Sequence, residues 1–361
     1  MKTFNTSKGK VAIITDTHFG ARADSPVFHD YFMRFFDDEF FPFLEREGIK
    51  VVLHLGDFTD RRKYINFVTL NKVRNYFIRR IKEMEITLIC TVGNHDTYYK
   101  NTNEINSMHE LFSNIDHIHI LTEVEEVMFD KTKVLLVPWI NESNYESSIA
   151  KIQSSDAEIL MGHLEIKKFL MNRGQTSETG FDATMFDKFK LVASGHFHHK
   201  SDAKNIFYLG APYELTFADI NDPRGYHSWE INSTELDFHQ NPYKMFYKVF
   251  YNDKDATLPS LLKKISNKFQ GSYVKVVVQN RMNPVFFDKF MEKLFSLGPA
   301  DIKIEDDDRL VGNEEMIIDT AAEDTLTILN KYVDGLEIDS NKDKIKEELR
   351  TLYIEAQNAE K

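Results

Sequence analysis

Cysteine is almost missing: Cys90 is the only one in 361 residues, so no disulfide can close within the chain and nothing points to an oxidising compartment. Proline (nine) and glycine (15) are sparse too, which excludes collagen-like and low-complexity architectures. No stretch approaches the ~18 uninterrupted apolar residues of a membrane span. Residues 1–10 are polar where a secretory leader would be apolar. The expectation is a soluble cytoplasmic chain with no membrane contact. Excess positive charge is lacking as well, with 45 basic side chains against 57 acidic and a net charge of −12. Such a balance is poorly suited to holding nucleic acid unaided, because phosphates are met by Lys and Arg.

What is present is a globular composition, 42% hydrophobic, with an unusual load of 29 Phe. At roughly 150 residues per domain the length suits two domains and an appendage. Charge is unevenly spread: residues 1–240 carry 27 basic and 35 acidic side chains, residues 241–299 carry ten and four, and residues 300–361 carry eight and 18. The basic segment is therefore a separate piece. The acidic tail is either a solvated surface or a partner-binding element.

Residues 1–240 alternate short apolar runs with helical spacing, the pattern of an α/β fold. Strands are predicted at 11–15, 51–55, 86–92, 134–137, 158–161, 191–194 and 206–209. Phe28, Phe32, Phe35, Phe36, Phe40 and Phe43 share one helical face, and Pro42 is expected to end or bend that helix. The stripe is either core or a dimer seam. A second helix is expected over about 65–84. After Pro242 the pattern becomes β-α-β-α-β, followed by two amphipathic helices within 319–357.

Five short motifs, Asp16-Thr17-His18, Gly56-Asp57, Gly93-Asn94-His95-Asp96, Gly162-His163 and Gly195-His196-Phe197-His198, each stand at or just beyond the C-terminal end of a predicted strand. Ligands of open α/β sheets bind there, so the five can converge. Carboxylate and amide oxygens with imidazole nitrogens suit a first-row divalent ion such as Mn²⁺. Seven donors exceed one ion's needs, and two ions about 3.5–4 Å apart, bridged by a carboxylate and a water, would use them all.

The ordered series DTH, GD, GNHD, GH and GHFH resembles that of the calcineurin-like metallophosphoesterases. The resemblance implies two facing β-sheets flanked by helices over about residues 8–240, with a small α/β capping domain and a C-terminal helical segment beyond. The expected division is 1–240 for the core, 241–306 for a DNA-contacting cap and 307–361 for an acidic linker with partner-binding helices. It implies that Asp16, His18, Asp57 and His198 hold one ion, and Asp57, Asn94, His163 and His196 the other. His95 would face the scissile phosphate, and Asp60 would orient it, unless Asp60 is a helix N-cap.

Asp57-Phe58-Thr59-Asp60-Arg61 resembles an element of the protein serine/threonine phosphatases, but Arg62 and Asp96 depart from their pattern. Asp16-Thr17-His18-Phe19-Gly20, Gly210-Ala211-Pro212-Tyr213-Glu214-Leu215-Thr216 and Asn221-Asp222-Pro223-Arg224-Gly225 look most like nuclease subunits of the SbcD type, in particular those of T-even-like phages. That likeness implies exonuclease action on duplex ends, endonuclease action on single strands, a homodimer, and an ABC-type coiled-coil ATPase docked on the C-terminal helices. Arg22, Arg61, Arg62, Lys63, Lys100, Lys167, Lys168, Arg173 and Lys200 lie where loops would meet DNA backbone without reading its sequence. The competing readings are a phosphatase or small-molecule phosphodiesterase with a lid, and a non-catalytic DNA-end scaffold.

Overall fold

The β-branched runs of the first 240 residues assemble into two sheets whose inner strands are buried on both faces. The computed structural model describes residues 1–172 and 174–307, with isolated positions at 333, 342, 344–346, 348 and 349. Residues 1–305 form one compact unit, and the chain from 306 onward a separate one. The helices expected within 319–357, and Arg173, lie outside the described residues except for those isolated positions.

Sheet one has six strands in the spatial order Leu236–Gln240, Gly225–Glu230, Lys10–Ile14, Val51–His54, Thr87–Thr91 and Ile118–Leu121. The last four run parallel, so their C-terminal ends share one edge. Sheet two has seven, ordered Lys2–Phe4, Glu125–Phe129, Thr132–Val137, Ile159–His163, Leu191–Gly195, Ile206–Tyr208 and Ser201–Ala203. Its strands Ile159–His163 and Leu191–Gly195 are parallel, with His163 registered opposite Gly195. The two sheets pack through Val11, Ile13, Leu53, Leu136, Met161, Leu191 and Trp229. Burial on both faces explains why these strands read as continuous apolar runs and not as alternating ones.

The outer face of sheet one is covered by the Phe-rich helix. Phe28, Phe32, Phe35, Phe36, Phe40 and Phe43 are all buried in one core with Phe77 and Tyr213. The stripe is therefore core, and the dimer-seam alternative for it is corrected. Pro42 does not end this helix. A π-helical turn at Phe36–Phe40 precedes it, with the Phe41 N–H bonded to the Phe36 carbonyl, and the helix continues over Phe41–Glu47. The wider turn relieves the clash that a proline imposes on an α-helical ladder. The second helix runs over Phe67–Glu83, again with a π-helical middle at Val73–Ile78. Its N-cap is Asn66, whose side chain accepts from the Val68 N–H, so Asp60 is not a helix cap.

Beyond Gln240 a three-stranded sheet forms from Phe246–Asn252, Tyr273–Asn280 and Asp301–Asp306, with Pro284–Ser296 as its principal helix. The first two strands are parallel. Glu214 ties this sheet to the rest: its buried carboxylate accepts from the Met245 and Phe246 N–H groups at 2.7 and 2.8 Å. Its neighbour Tyr213 donates to the Thr17 carbonyl and stacks on Phe32 with ring centroids 3.7 Å apart. Thus the Tyr213-Glu214 pair joins the Asp16–His18 loop, the Phe helix and the C-terminal sheet.

Candidate metal centre

The donors stand at or just after the C-terminal ends of Lys10–Ile14, Val51–His54 and Thr87–Thr91 in sheet one and of Ile159–His163 and Leu191–Gly195 in sheet two. Asp16, His18, Asp57 and His196 have φ of 53°, 43°, 55° and 85°, a left-handed backbone that costs a non-glycine residue of order 1–2 kcal/mol. Such strain persists only where surroundings hold it, and it gathers at functional sites. Here the hold is visible. The Asp16 N–H donates to the Gly56 carbonyl at 3.0 Å and the His18 N–H to the Asp57 carbonyl at 3.1 Å. The His196 N–H donates to the Asp16 carboxylate at 3.2 Å. Gly93 is required by close approach, because a Cβ there would collide with the backbone nitrogen and carboxylate of Asp57.

The donors converge in two groups. Asp16, His18 and His198 offer atoms all within 4.8 Å of one another, as do Asp57, His163 and His196. The Nε2 atoms of His18 and His198 are 3.0 Å apart, and His18 Nε2 is 3.8 Å from Asp57 Oδ2. In the second group Asn94 Oδ1 lies 2.9 Å from both His163 Nε2 and His196 Nδ1. Asp57 Oδ2 is 3.5 Å from His163 Nε2, so the Asp57 carboxylate faces both groups.

This donor set fits divalent cations. His163 Nδ1 bonds the Leu55 carbonyl at 2.7 Å, which fixes the hydrogen there and leaves Nε2 facing two oxygen acceptors. A lone pair aimed at two acceptors needs a cation or a proton between them. His18 Nδ1 is buried without a hydrogen bond, and lies 3.6 Å from Asp60 Oδ1.

Electrostatics agree. Burial pushes the Asp16 carboxyl up to about 7. Burial also opposes the Asp57 carboxylate, yet the charges of His163, His95 and His18 hold it well below the usual range. His163 is raised to about 9 against its burial, because Asp57 pairs with it. Burial lowers His196 and His198 to about 3, so both present neutral nitrogens at neutral pH. In the absence of metal a proton on His163 does the bridging.

His95 stands beside Asp57, its N–H donating to Asp57 Oδ1 at 2.7 Å, and its ring meets His18 edge-on at 4.8 Å. Its Nδ1 bonds the backbone carbonyl of Asp60 at 2.7 Å. The orientation therefore comes from the Asp60 main chain, while the Asp60 carboxylate faces His18.

Two contributors carry no role in the sequence pattern alone. Asp96 is fully buried and accepts from the Gly93 N–H at 2.9 Å and the Thr59 N–H at 3.0 Å, tying the Asp57 and Asn94 loops together. Trp139 packs 5.0 Å from the His196 ring. Its backbone is held by Val92 and by the amides of Asn103 and Asn144. The GNHD motif is the available signal for Asp96, but only the fold shows that its acceptors are spent on main chain. Among the cationic candidates, Arg61 is paired with Asp24 at 2.7 Å and Arg22 donates to the Leu215 carbonyl at 3.1 Å. Arg62 reaches the Thr97 hydroxyl at 3.3 Å, and Lys63, Lys100, Lys167 and Lys168 are exposed.

Comparison with known proteins decides the family. The sequence pattern of calcineurin-like phosphoesterases matches residues 9–200. The chain belongs to the calcineurin-like phosphoesterase family. Among calcineurin-like phosphoesterases it is similar to exonuclease subunit 1 of Enterobacteria phage T4, 27% identical over 96% of this chain and 99% of that one. The SbcD component of the SbcCD nuclease of Staphylococcus epidermidis is 25% identical over 43% of this chain and 48% of its own length. The DNA double-strand break repair protein Mre11 of Sulfolobus acidocaldarius is 26% identical over 56% and 52%. Membership in a metallophosphoesterase family with this donor cluster implies divalent metal ions. Among the described residues, no helix is long and apolar enough to cross a membrane.

Proposed function

We propose that this chain is a metal-dependent DNA nuclease that cuts phosphodiester bonds at the Asp57-centred cluster, acting on duplex ends and single strands. The observation that carries the reading is the convergence of seven donors around one shared carboxylate, with His95 beside it. The nuclease subunits to which the chain is similar support DNA as substrate.

Asp16, His18, Asp57 and His198 would hold one ion, and Asp57, Asn94, His163 and His196 the second. Nitrogen and oxygen donors of this mixture suit Mn²⁺. When bound, such ions neutralise phosphate charge and activate water. The protein's own groups do the rest. Neutral His196 and His198 keep lone pairs available, and the left-handed turns at Asp16, His18 and Asp57 hold the donors in place with little reorganisation. His95, whose Nδ1–H is held by the Asp60 carbonyl, would as an imidazolium present Nε2–H to a phosphate oxygen and pass that proton to the leaving oxygen. The Asp60 carboxylate faces His18 Nδ1 at 3.6 Å. Exposed Lys63, Lys100, Lys167 and Lys168 would meet backbone phosphates without reading bases.

The test is cleavage of end-labelled duplex and single-stranded DNA with Mn²⁺, Mg²⁺ or chelator. Mn²⁺-dependent cutting that falls about 100-fold or more in His95→Ala is expected, in the range of general acid–base contributions. Absence of metal-dependent DNA cutting by the wild type, alone and with its ATPase, would reject the reading.

The same reading makes the chain one component of a complex with an ABC-type ATPase, bound through residues 319–361. An acidic nuclease core needs such help to hold DNA. Deleting 319–361 should abolish co-purification of the ATPase while leaving metal binding intact, and retained co-purification would refute this. A homodimer fits the exposed Phe67 and Val68, 85% and 64% accessible at the start of the second helix. A monomeric mass by light scattering would contradict it.

A further inference from the structure

The two loops that carry Asp57 and His95 also enclose a cavity of about 160 Å³ that the metal centre leaves unused. Tyr64, Tyr98 and Ile105 form its apolar walls, and Arg61, Arg62 and Lys63 its rim. The walls are more accessible than a fold needs, with Tyr64 65%, Tyr98 36% and Ile105 42% exposed. Aromatic surface left in water beside a catalytic loop marks a place where something binds. The cations are arranged over the rings: the Arg61 guanidinium lies 5.0 Å from the Tyr64 centroid and the Lys63 ammonium 6.0 Å from that of Tyr98.

The cavity is built into the catalytic machinery. Thr59 lines it and follows Asp57 by two residues, while Tyr98 follows His95 by three. At most about 3.5 Å per residue, the Cα atoms of Thr59 and Tyr98 are within roughly 7 and 11 Å of those of Asp57 and His95. Cross-links between the loops make them one body: His95 Nδ1 to the Asp60 carbonyl at 2.7 Å, Arg62 to Thr97 at 3.3 Å, and Thr59 Oγ1 to Ser107 Oγ at 2.8 Å.

We propose that this cavity receives one unstacked nucleobase of a single-stranded segment next to the scissile phosphate. The ring seats against Tyr98 and Tyr64, and a flanking phosphate meets Lys63, the exposed cation of the rim, because Arg61 is paired with Asp24 and Arg62 is bonded to Thr97. Its placement beside the cut rests on the nuclease reading. The volume suits a single planar heterocycle and is well below the roughly 300–1,000 Å³ of pockets that hold drug-sized ligands. Charge complementarity selects a nucleotide, because an apolar slot rimmed by cations matches a π-face flanked by phosphates. A second copy docking here through a two-fold contact would set the same cationic rim against itself. Two of the polar lining groups, Asn106 and Ser107, are committed to the protein, while the carboxylate of Glu110 also lines the cavity and stands 4.0 Å from His109 Nδ1. Asn106 Oδ1 accepts from the His109 N–H at 2.9 Å, and Ser107 is bonded to Thr59. The slot therefore reads chiefly a ring face, so recognition depends little on sequence. A stacked duplex cannot fill it, which gives the enzyme a means of telling a single strand from a duplex interior.

The experiment uses the full chain in chelator, so that no strand is cut. Single-stranded oligonucleotides carry one 2-aminopurine, moved stepwise along the strand from a fixed 5′ blocking duplex. Strong quenching confined to one or two positions is expected for the wild type. Tyr98→Ala should lose that quenching and bind single strands about tenfold more weakly, within the range for one base–aromatic stack, and Tyr98→Phe should keep both. Melting curves of each variant establish that it is folded. Uniform quenching at every position, or unchanged quenching in Tyr98→Ala, would overturn the proposal. So would a change of mass in light scattering in place of a change in quenching, which would make the cavity a seat for a second copy. Position-specific quenching without any metal-dependent cutting by the wild type would instead sink the nuclease reading and leave the cavity as a DNA-binding slot.

Discussion

Protonation of single side chains sets how the centre loads its ions. In the metal-free protein His163 is raised to about 9, against its burial, by pairing with Asp57 and carries a proton at neutral pH. Asp16, raised to about 7 chiefly by burial, is partly protonated. A cation must displace the His163 proton before Nε2 can donate its lone pair. The sign follows: below the folded value of about 9, loading releases a proton, so affinity rises with pH and levels off above it. Between pH 7 and 9 the apparent Mn²⁺ affinity should increase by up to about tenfold per unit for each proton displaced. Titration calorimetry in buffers of different ionisation enthalpy checks this. Affinity that is flat from pH 7 to 9 would contradict it. His196 and His198, lowered to about 3 by burial, add no pH dependence in that window.

At the level of elements, the decisive feature is how the loops after separate strands are tied to one another. Asp96 links two of them, and the Tyr213-Glu214 pair links the Asp16–His18 loop to the C-terminal sheet through bonds to Thr17, Met245 and Phe246. Replacing Glu214 by Leu strands two buried N–H groups, each worth about 1–3 kcal/mol. Glu214→Leu should therefore lower stability to denaturant by about 2–5 kcal/mol, whereas Glu214→Gln, which keeps an acceptor oxygen, should lose far less. Equal losses in the two variants would show that Glu214 acts through packing alone.

The same scale separates what the sequence allowed from what it did not. The parallel strands and their ends were legible because apolar runs and the donor motifs following them are local features. That Phe28 to Phe43 make one face was legible too, but whether the face meets core or a partner depends on Tyr213 and Phe77, which are remote in sequence. The persistence of the helix through Pro42 depends on a π-helical turn that no residue type announces. His95 is oriented by the Asp60 carbonyl and not by its carboxylate, and main-chain acceptors leave no mark on side-chain identity. Asp96 was visible in the GNHD motif but its bond to Thr59 was not, and the hold on Trp139 by Val92 and Asn103 likewise comes from loops tens of residues away.

For the whole molecule, charge and architecture divide the work. The segment 1–240 is net acidic and holds the cation-binding cluster, the following segment to 299 is net basic, and the stretch beyond is acidic again. Two carboxylates, an amide and four imidazoles packed into one cluster suit metal ions, while exposed lysines on the surrounding loops suit phosphate. On the proposed reading the expected contact is with the DNA backbone, with strong salt dependence and without sequence preference. The family assignment rests on the match across residues 9–200. The nuclease reading rests on the donor cluster and on similarity that spans nearly the whole chain.

One substitution probes the central claim, because Asp57 alone faces both donor groups. Wild type and Asp57→Ala would be loaded with Mn²⁺, desalted, assayed for bound metal by elemental analysis, and used in the same preparation to cut end-labelled DNA. The account predicts two ions per chain and metal-dependent cutting for the wild type, and for the folded variant a loss of bound metal with cutting reduced at least about 100-fold, the scale of losing a metal or its direct support. An Asp57→Ala protein that retains two ions and cuts DNA at the wild-type rate would contradict it.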